Sequence, residues 1–325
     1  MRVSVIVPVY NDHGNLIECL SAFKATSDIS CEIIVVDDAS TDNSPLVAAG
    51  VGARVLRLPK NVGPAAARNY GAYHAQGEVL FFVDADVVVP PGAVRHVAHI
   101  FDEHPDVDAV FGSYNAEPRA QGLMSQYWNL RHHFVHQNGD TEASTFWAGC
   151  GAIRRTVFQA VGGFDEKRFR HPSIEDIELG YRLRAAGYRI LLDKALQATH
   201  LKQWSLRSVI RTDIFRRAIP WSRLIIETKT LPNDLNLKVG QRTSFALVAL
   251  ACVLTALAVV QPALLAGSAI ALLGVIVINR SLYGFFVRRR GIRFATASIS
   301  LHLLYYLYSG VTYSWVWAEF RLRGR

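Results

Sequence analysis

The chain has 325 residues, half of them hydrophobic and 19% charged, with a formal net charge of +8 and four cysteines. That length suits one large or two modest domains, and the apolar share excludes a disordered chain. The charge is uneven: Lys238 to Arg325 holds ten Lys and Arg against one acid, Glu319, leaving 25 basic and 26 acidic residues for positions 1–237. A basic nucleic-acid-binding face on the main domain therefore has no compositional support, no nucleic-acid partner is expected, and a membrane better explains the basic tail. Cys19, Cys31, Cys150 and Cys252 form no CxxC pair and have no close His partner, which argues against a disulfide framework or zinc site and for reduced thiols in a cytoplasmic domain. Arg2 precedes only a short apolar run that meets Pro8 and Tyr10-Asn11, too brief for a signal-peptide core and suited to a buried strand.

In chain order, apolar runs at Val3–Val7, Glu32–Val36, Arg54–Leu58 and Val79–Val83 alternate with helical stretches at Asn15–Ala25, Ser44–Ala49, Ala65–Ala75 and Ala93–Phe101. Continuous rather than alternating apolar strands are buried on both faces. The expectation is an α/β, Rossmann-like domain whose mostly parallel sheet carries helices on both sides. Ligands in such folds bind beyond the carboxyl ends of the strands. Polar residues stand there: Asn11 and Asp12, Asp37 and Asp38, Asn61 and Gly63, Asp84 and Asp86. Further helices are expected over Leu123–Val135 and from Glu175 to Ala186, capped by Gly187, with a strand over Tyr188–Leu192. In Ser205–Ile219, bracketed by Trp204 and Trp221, apolar residues recur at helical spacing among Arg207, Arg211, Arg216 and Arg217; such a helix suits a membrane interface or an ordinary packed surface.

Three long apolar segments follow, Phe245–Val260, Ala263–Ile278 and Ala295–Trp317. They are read as C-terminal transmembrane helices of an integral membrane protein. Two crossings return Arg288, Arg289, Arg290 and Arg293 to the cytoplasmic side, with the main domain. A third full crossing would carry Arg321, Arg323 and Arg325 outside, so two or three helices are expected, the last crossing, re-entrant or interfacial. The expected organisation is 1–225 as main domain, in halves 1–112 and 113–225 with the interfacial helix in the second, 226–243 as linker and 244–325 as membrane region.

Asp84 and Asp86 sit two apart after a buried strand. In extended chain they would face one site, where paired carboxylates suit a hard divalent cation that leaves positions open for phosphate oxygens. Asp38 reads as a polar turn residue or as an acceptor for a nucleobase N–H, and Arg68, one turn into a helix, as a solvated residue or a donor to nucleotide. Asp176, in Ser173-Ile174-Glu175-Asp176, reads as a helix-start acid or a catalytic carboxylate, roles that are compatible.

The segments Val5–Asn11, Val36–Ser40, Asn61–Gly63 with Ala67–Asn69, Asp84-Ala85-Asp86, Gly162–Glu166 and Glu175–Leu179 with Arg182–Arg184 resemble, in order and spacing, the signatures of family 2 glycosyltransferases of the GT-A fold, over roughly residues 1–225. The resemblance implies that 1–225 is a catalytic domain, with 1–112 the nucleotide-sugar-binding half and 113–225 the acceptor half and interfacial helix, and that a nucleotide-diphosphate sugar donor is bound near Pro8, Tyr10, Asp38 and Arg68. It further implies Mg²⁺ or Mn²⁺ held through Asp86 with Asp84 nearby, and inversion at the sugar carbon with Asp176 as general base beside Glu175. His200 stands where related enzymes place a further metal or diphosphate ligand, its alternative being a structural imidazole. Trp147, Gly149, Gly163 and Phe164 match the part of the family that shapes the acceptor pocket, their alternative being core packing and a tight turn. The processive Gln-x-x-Arg-Trp motif is absent from Phe215–Trp221, which favours single-sugar transfer. Arg216 and Arg217, near Trp221, suit a lipid-linked or membrane-proximal phosphate acceptor, or anchoring to membrane lipid. A nucleotidyltransferase that forms sugar nucleotides is the enzymatic alternative, although the glycine-rich basic loop such enzymes open with is replaced by Pro8-Val9-Tyr10-Asn11. A catalytically silent membrane scaffold of the same fold is the other.

Overall fold

A computed structural model of the chain describes residues 1–24 and 31–323; Ala25, at the expected end of the first helix, and Arg325 lie outside the described residues. The chain divides into two compact units, 1–203 and 204–325.

The first unit runs β1 (Val3–Val9), α1 (His13–Lys24), β2 (Cys31–Asp37), α2 (Ser44–Gly50), β3 (Arg54–Arg57), α3 (Pro64–His74), β4 (Val79–Val83), β5 (Val87–Val88), α4 (Ala93–Glu103), β6 (Ala109–Tyr114), α5 (Leu123–Gln137), β7 (Cys150–Arg154), α6 (Arg155–Ala160), α7 (Glu175–Ala185) and β8 (Ile190–His200). Strands β1, β4 and β6 are almost wholly buried, as their unbroken apolar runs require. The spatial order is β3-β2-β1-β4-β7-β6-β8-β5.

The sheet departs from the mostly parallel one expected. Strands β3, β2, β1 and β4 are parallel neighbours, and β6 is parallel to β8, but β7 runs antiparallel to both β4 and β6, and β5 antiparallel to β8. Strand β7 begins opposite the carboxyl end of β4, where Val83 pairs with Cys150 and Asp84 N–H donates to the Gly149 carbonyl. A strand that enters a parallel sheet at its carboxyl edge has to run backward, and the result is a mixed sheet. The strand expected over Tyr188–Leu192 is also longer than foreseen, and its continuation to His200 carries a chemically active side chain to that edge.

Helix α3 packs unusually close to the sheet. A Cβ on Gly71 would stand 2.6 Å from Ile6 Cγ2 and 2.9 Å from Val36 Cγ2, side chains branched at Cβ and unable to swing away.

The second unit is helical: α8 (Leu206–Thr212), a π-helical stretch (Asp213–Ala218), α9 (Ile219–Thr228), a 3₁₀ turn (Leu235–Leu237), α10 (Val239–Leu257), α11 (Leu264–Ile278) and α12 (Arg280–Leu322). Helix α12 is broken at Gly291, whose φ of 83° places it in the left-handed region. Among the described residues one helix, Val239–Leu257, is long and apolar enough to cross a membrane, and α11 with α12 passes the same test only as a pair bent by 67°. The second apolar segment is thus not by itself a span in length, as its fifteen residues dictate.

Overpacking gives the first expected outcome. Gly71→Ala lowers the stability of the full chain by about 1–3 kcal/mol, read as a shifted urea midpoint, whereas Gly14→Ala, whose Cβ would meet nothing within 4 Å, leaves the midpoint unchanged or raises it.

Candidate functional site

The carboxyl edge of the sheet gathers most of the polar residues the sequence singles out. At the end of β1, Pro8 is half-buried and Tyr10 is 51% exposed. Asn11 takes a left-handed φ of 51°, and its Oδ1 accepts from Thr41 N–H and Asp42 N–H, lacing the first strand-end loop to the second. Asp38 is buried, and its two oxygens accept from Val62 N–H at 2.8 Å and Gly63 N–H at 2.9 Å. Burial raises its carboxyl above the ordinary range against those two donors. Gly63 has to be glycine: φ is 94° and a Cβ would sit 2.3 Å from the Arg170 carbonyl oxygen.

Asp84 and Asp86 lie in a tight turn, closed by Val87 N–H donating to the Asp84 carbonyl, not in the extended chain assumed from their spacing. Their carboxylates consequently take different partners. Asp84 Oδ1 accepts from Arg68 Nη2 at 2.6 Å, while Asp86 Oδ2 lies 3.5 Å from His200 Nε2. Burial alone would raise the Asp86 carboxyl, but while the His200 ring carries protons on both nitrogens its hydrogen bond and charge, then Lys202, outweigh burial and hold the carboxyl below its usual value. Asp12, which accepts from Asn15, is raised first by burial and then by the neighbouring Asp86 charge. The Cys19 thiol, free and buried as the reduced-thiol reading expects, donates to the Asp84 carbonyl at 3.6 Å.

Arg68 is neither solvated nor open. It is 5% exposed, its Nη1 donates to Glu175 Oε1 at 2.9 Å, and its guanidinium lies 5.5 Å from the Phe164 ring centroid. Burial would lower its affinity for a proton, yet the charges of Asp84, Glu175 and Asp176 raise it further. Glu175 Oε2 in turn accepts from Ser173 N–H. Asp176 Oδ2 accepts from Ala148 N–H at 3.1 Å and Oδ1 from Ile177 N–H at 2.8 Å. Burial first, then the Glu175 charge, push the Asp176 carboxyl up to about 7, against Arg68 and the two backbone donors. Consecutive residues therefore tie the two acids together: Ala148 donates to Asp176, and Gly149 accepts from Asp84.

Trp147 precedes them, its ring set edge-on to Tyr114 at 4.8 Å between centroids, and a Cβ on Gly149 would collide with its indole at 2.7 Å. Gly163 and Phe164 form a turn clamped by Asn69, whose Oδ1 accepts from Phe164 N–H and whose Nδ2 donates to the Phe164 carbonyl. The Phe164 ring is buried against Phe82 and Phe158, behind Arg68. Arg216, Arg217 and Trp221 belong to the second unit, where Arg217 pairs with the buried Asp213 inside the π-helical stretch.

Asp86 Oδ2 and His200 Nε2 converge on one point. A carboxylate oxygen and an imidazole nitrogen fit Mg²⁺ or Mn²⁺, the remaining positions falling to ligand oxygens and water. Among the described residues no three His, Cys, Asp or Glu side chains form a closed cage. The spacing of motifs missed the Arg68–Glu175 ion pair and the contact between Asn129 and His200 (Nδ1 to Oδ1 3.0 Å), because neither pair is near in sequence.

A profile described as "Glycosyl transferase family 2" matches residues 4–162. Glycosyltransferase GlyG of Streptococcus pneumoniae serotype 4 is 35% identical over 130 residues, 38% of this chain and 43% of GlyG. The pre-mycofactocin glycosyltransferase of Mycobacterium tuberculosis is 28% identical over 224 residues, 66% of this chain and 45% of the relative. The chain thus spans less than half the length of these two relatives. Among solved structures, the mannosyltransferase PcManGT from Pyrobaculum calidifontis, in complex with GDP-Man and Mn²⁺, superposes with a TM-score of 0.59 at 20% identity, covering 96% of this chain and 87% of that one, a likeness of fold. The profile match spans β1 to the turn after α6, just under half of the chain and most of the elements of this edge apart from α7 and β8, and over that stretch the chain is similar to glycosyl transferase family 2 proteins, which supports a transferase.

Proposed function

We propose that the chain moves a single sugar from a nucleotide-diphosphate donor to a lipid-linked or membrane-proximal acceptor, with inversion, assisted by Mg²⁺ or Mn²⁺. The observation that carries this reading is the linkage of Asp84 to Asp176 through Gly149 and Ala148 on one side and through Arg68 and Glu175 on the other. It holds a donor-side acid and a proton acceptor in one rigid frame, as displacement at a sugar carbon requires. The GDP-Man and Mn²⁺ in the related mannosyltransferase structure support a nucleotide-sugar donor and a divalent ion here.

Pro8, Tyr10 and the wall that Asp38 builds with residues 62 and 63 receive the nucleoside. Arg68 keeps Asp84 aimed, and Asp86 with His200 forms the edge that would hold the divalent ion, Asp84 standing alongside. When bound, that ion supplies positive charge against which the departing diphosphate is neutralised. Asp176, fixed by Ala148 and Ile177, takes the proton from the acceptor hydroxyl. Trp147 and Gly149 border the acceptor side.

The second unit supports a membrane setting. Large apolar side chains face outward, with Val259 89%, Val260 87% and Ile270 70% exposed, as side chains against lipid would be. In this reading 244–325 is the membrane region, 226–243 the linker, and Arg288, Arg289, Arg290 and Arg293 sit with the catalytic domain on the cytoplasmic face. Arg216 and Arg217, near Trp221, meet the phosphate of the acceptor lipid or anionic headgroups.

A panel of nucleotide sugars with Mn²⁺ and membrane lipid extract, scored for nucleoside diphosphate release and sugar in the lipid phase, tests the reading; no transfer with any donor overturns it. Asp176→Asn retains donor binding and lowers turnover by about 10²–10⁴-fold. Because the base works deprotonated and its carboxyl sits near 7, the wild-type rate rises about tenfold per pH unit below that value and levels above it, and the Asn variant lacks this limb. EDTA abolishes transfer and Mn²⁺ or Mg²⁺ restores it. Alkaline carbonate leaves the full chain in the membrane pellet, and its release into the supernatant would count against membrane-spanning helices.

A further inference from the structure

Asn129, on α5, is 1% exposed, and its amide orientation is dictated by its neighbours. The Ser125 carbonyl, one turn earlier, only accepts, so the amide nitrogen faces it, with Nδ2 to O at 3.1 Å. Oδ1 therefore points the other way, 3.0 Å from His200 Nδ1. An amide oxygen only accepts in its turn, so Nδ1 carries the proton and the lone pair of the neutral imidazole lies on Nε2. Nε2 is the nitrogen 3.5 Å from Asp86 Oδ2.

The ring plane is fixed as well. His200 stacks on Tyr114 at 4.4 Å between centroids and 10° between planes. Tyr114 is braced by Trp147, by His132 at 4.4 Å, and through its carbonyl by His133 Nδ1 at 2.8 Å. The backbone of His200 is paired with Val87, one residue beyond Asp86.

We infer that Asn129 is a positioning residue that selects the Nδ1–H tautomer of His200, so that Nε2 is presented with Asp86 to a divalent cation. The inference rests on the reading of Asp86 and His200 as the metal edge, and it assigns that edge a second layer which no motif of the sequence marks. Partners of this kind orient metal-binding imidazoles and raise their basicity.

The test is titration of the full-length protein in detergent with Mn²⁺ alone, free ion being read by electron paramagnetic resonance, for wild type, Asn129→Leu, Asn129→Asp and His200→Ala. Asn129→Leu keeps the volume without the acceptor and weakens Mn²⁺ binding about 10–100-fold. Asn129→Asp keeps the acceptor and adds a charge that strengthens the imidazole as a ligand, so it binds Mn²⁺ as tightly as wild type or tighter. Weakening of both Asn129 variants alike marks a merely structural role and overturns the inference. Wild-type affinity in Asn129→Leu, with His200→Ala weakened, overturns it while leaving the metal edge standing. Wild-type affinity in His200→Ala instead removes the metal edge. As a readout independent of affinity, ¹⁵N-histidine resonances assigned with His200→Ala show His200 protonated at Nδ1 in wild type; protonation at Nε2 in the neutral ring overturns the proposal.

Discussion

A buried guanidinium is the constraint around which the first unit is arranged. Arg68 reaches Asp84 from one side and Glu175 from the other; Arg68 and Glu175 are buried, and Asp84 is 34% exposed. An uncompensated charge in such a place is costly, since breaking one partner of a buried pair costs on the order of 3–5 kcal/mol. The two acids are therefore not free to drift apart, although ninety residues separate them in the chain. Each also anchors backbone: Asp84 N–H is bonded to Gly149, and Glu175 holds Ser173 N–H. Helix α3, the turn after β4 and the start of α7 become one body, with Asp176 adjoining it.

That body depends in turn on the reversal of β7. A parallel strand in the same place would deliver Cys150 to the opposite edge, far from Val83. Running backward, β7 puts residues 147–149 over the carboxyl edge, where Ala148 meets Asp176 and Trp147 meets Tyr114. Parallel pairing of β8 with β6 and its antiparallel pairing with β5 bring His200 beside Asp86 from the other side. The candidate site sits where two strand directions meet.

The second unit is joined differently, by polar side chains set between apolar helices. Tyr306 O–H donates to Gln241 and Asn279, Asn279 donates to Ser244, and Thr255 meets Ser268. Residues 206–225, expected in the catalytic domain with its interfacial helix, group with this unit, where Asp213 accepts from Tyr308 of α12.

What the amino-acid order determined is whatever repeats over a few residues. Burial on both faces makes strands such as Val79–Val83 continuous apolar runs, and the polar residues that follow them fall at the carboxyl edge by the geometry of a wound sheet. The parallel half, the helices between its strands and the apolar tail were legible for that reason. Tertiary structure decided the rest. Asp84 and Asp86 share a motif yet face Arg68 and His200, because the turn between them separates their side chains. The partners of Arg68, the reversal of β7 and the amide that orients His200 all join positions distant in sequence, and only packing in three dimensions selects among the many pairings that charge and hydrogen bonding would allow.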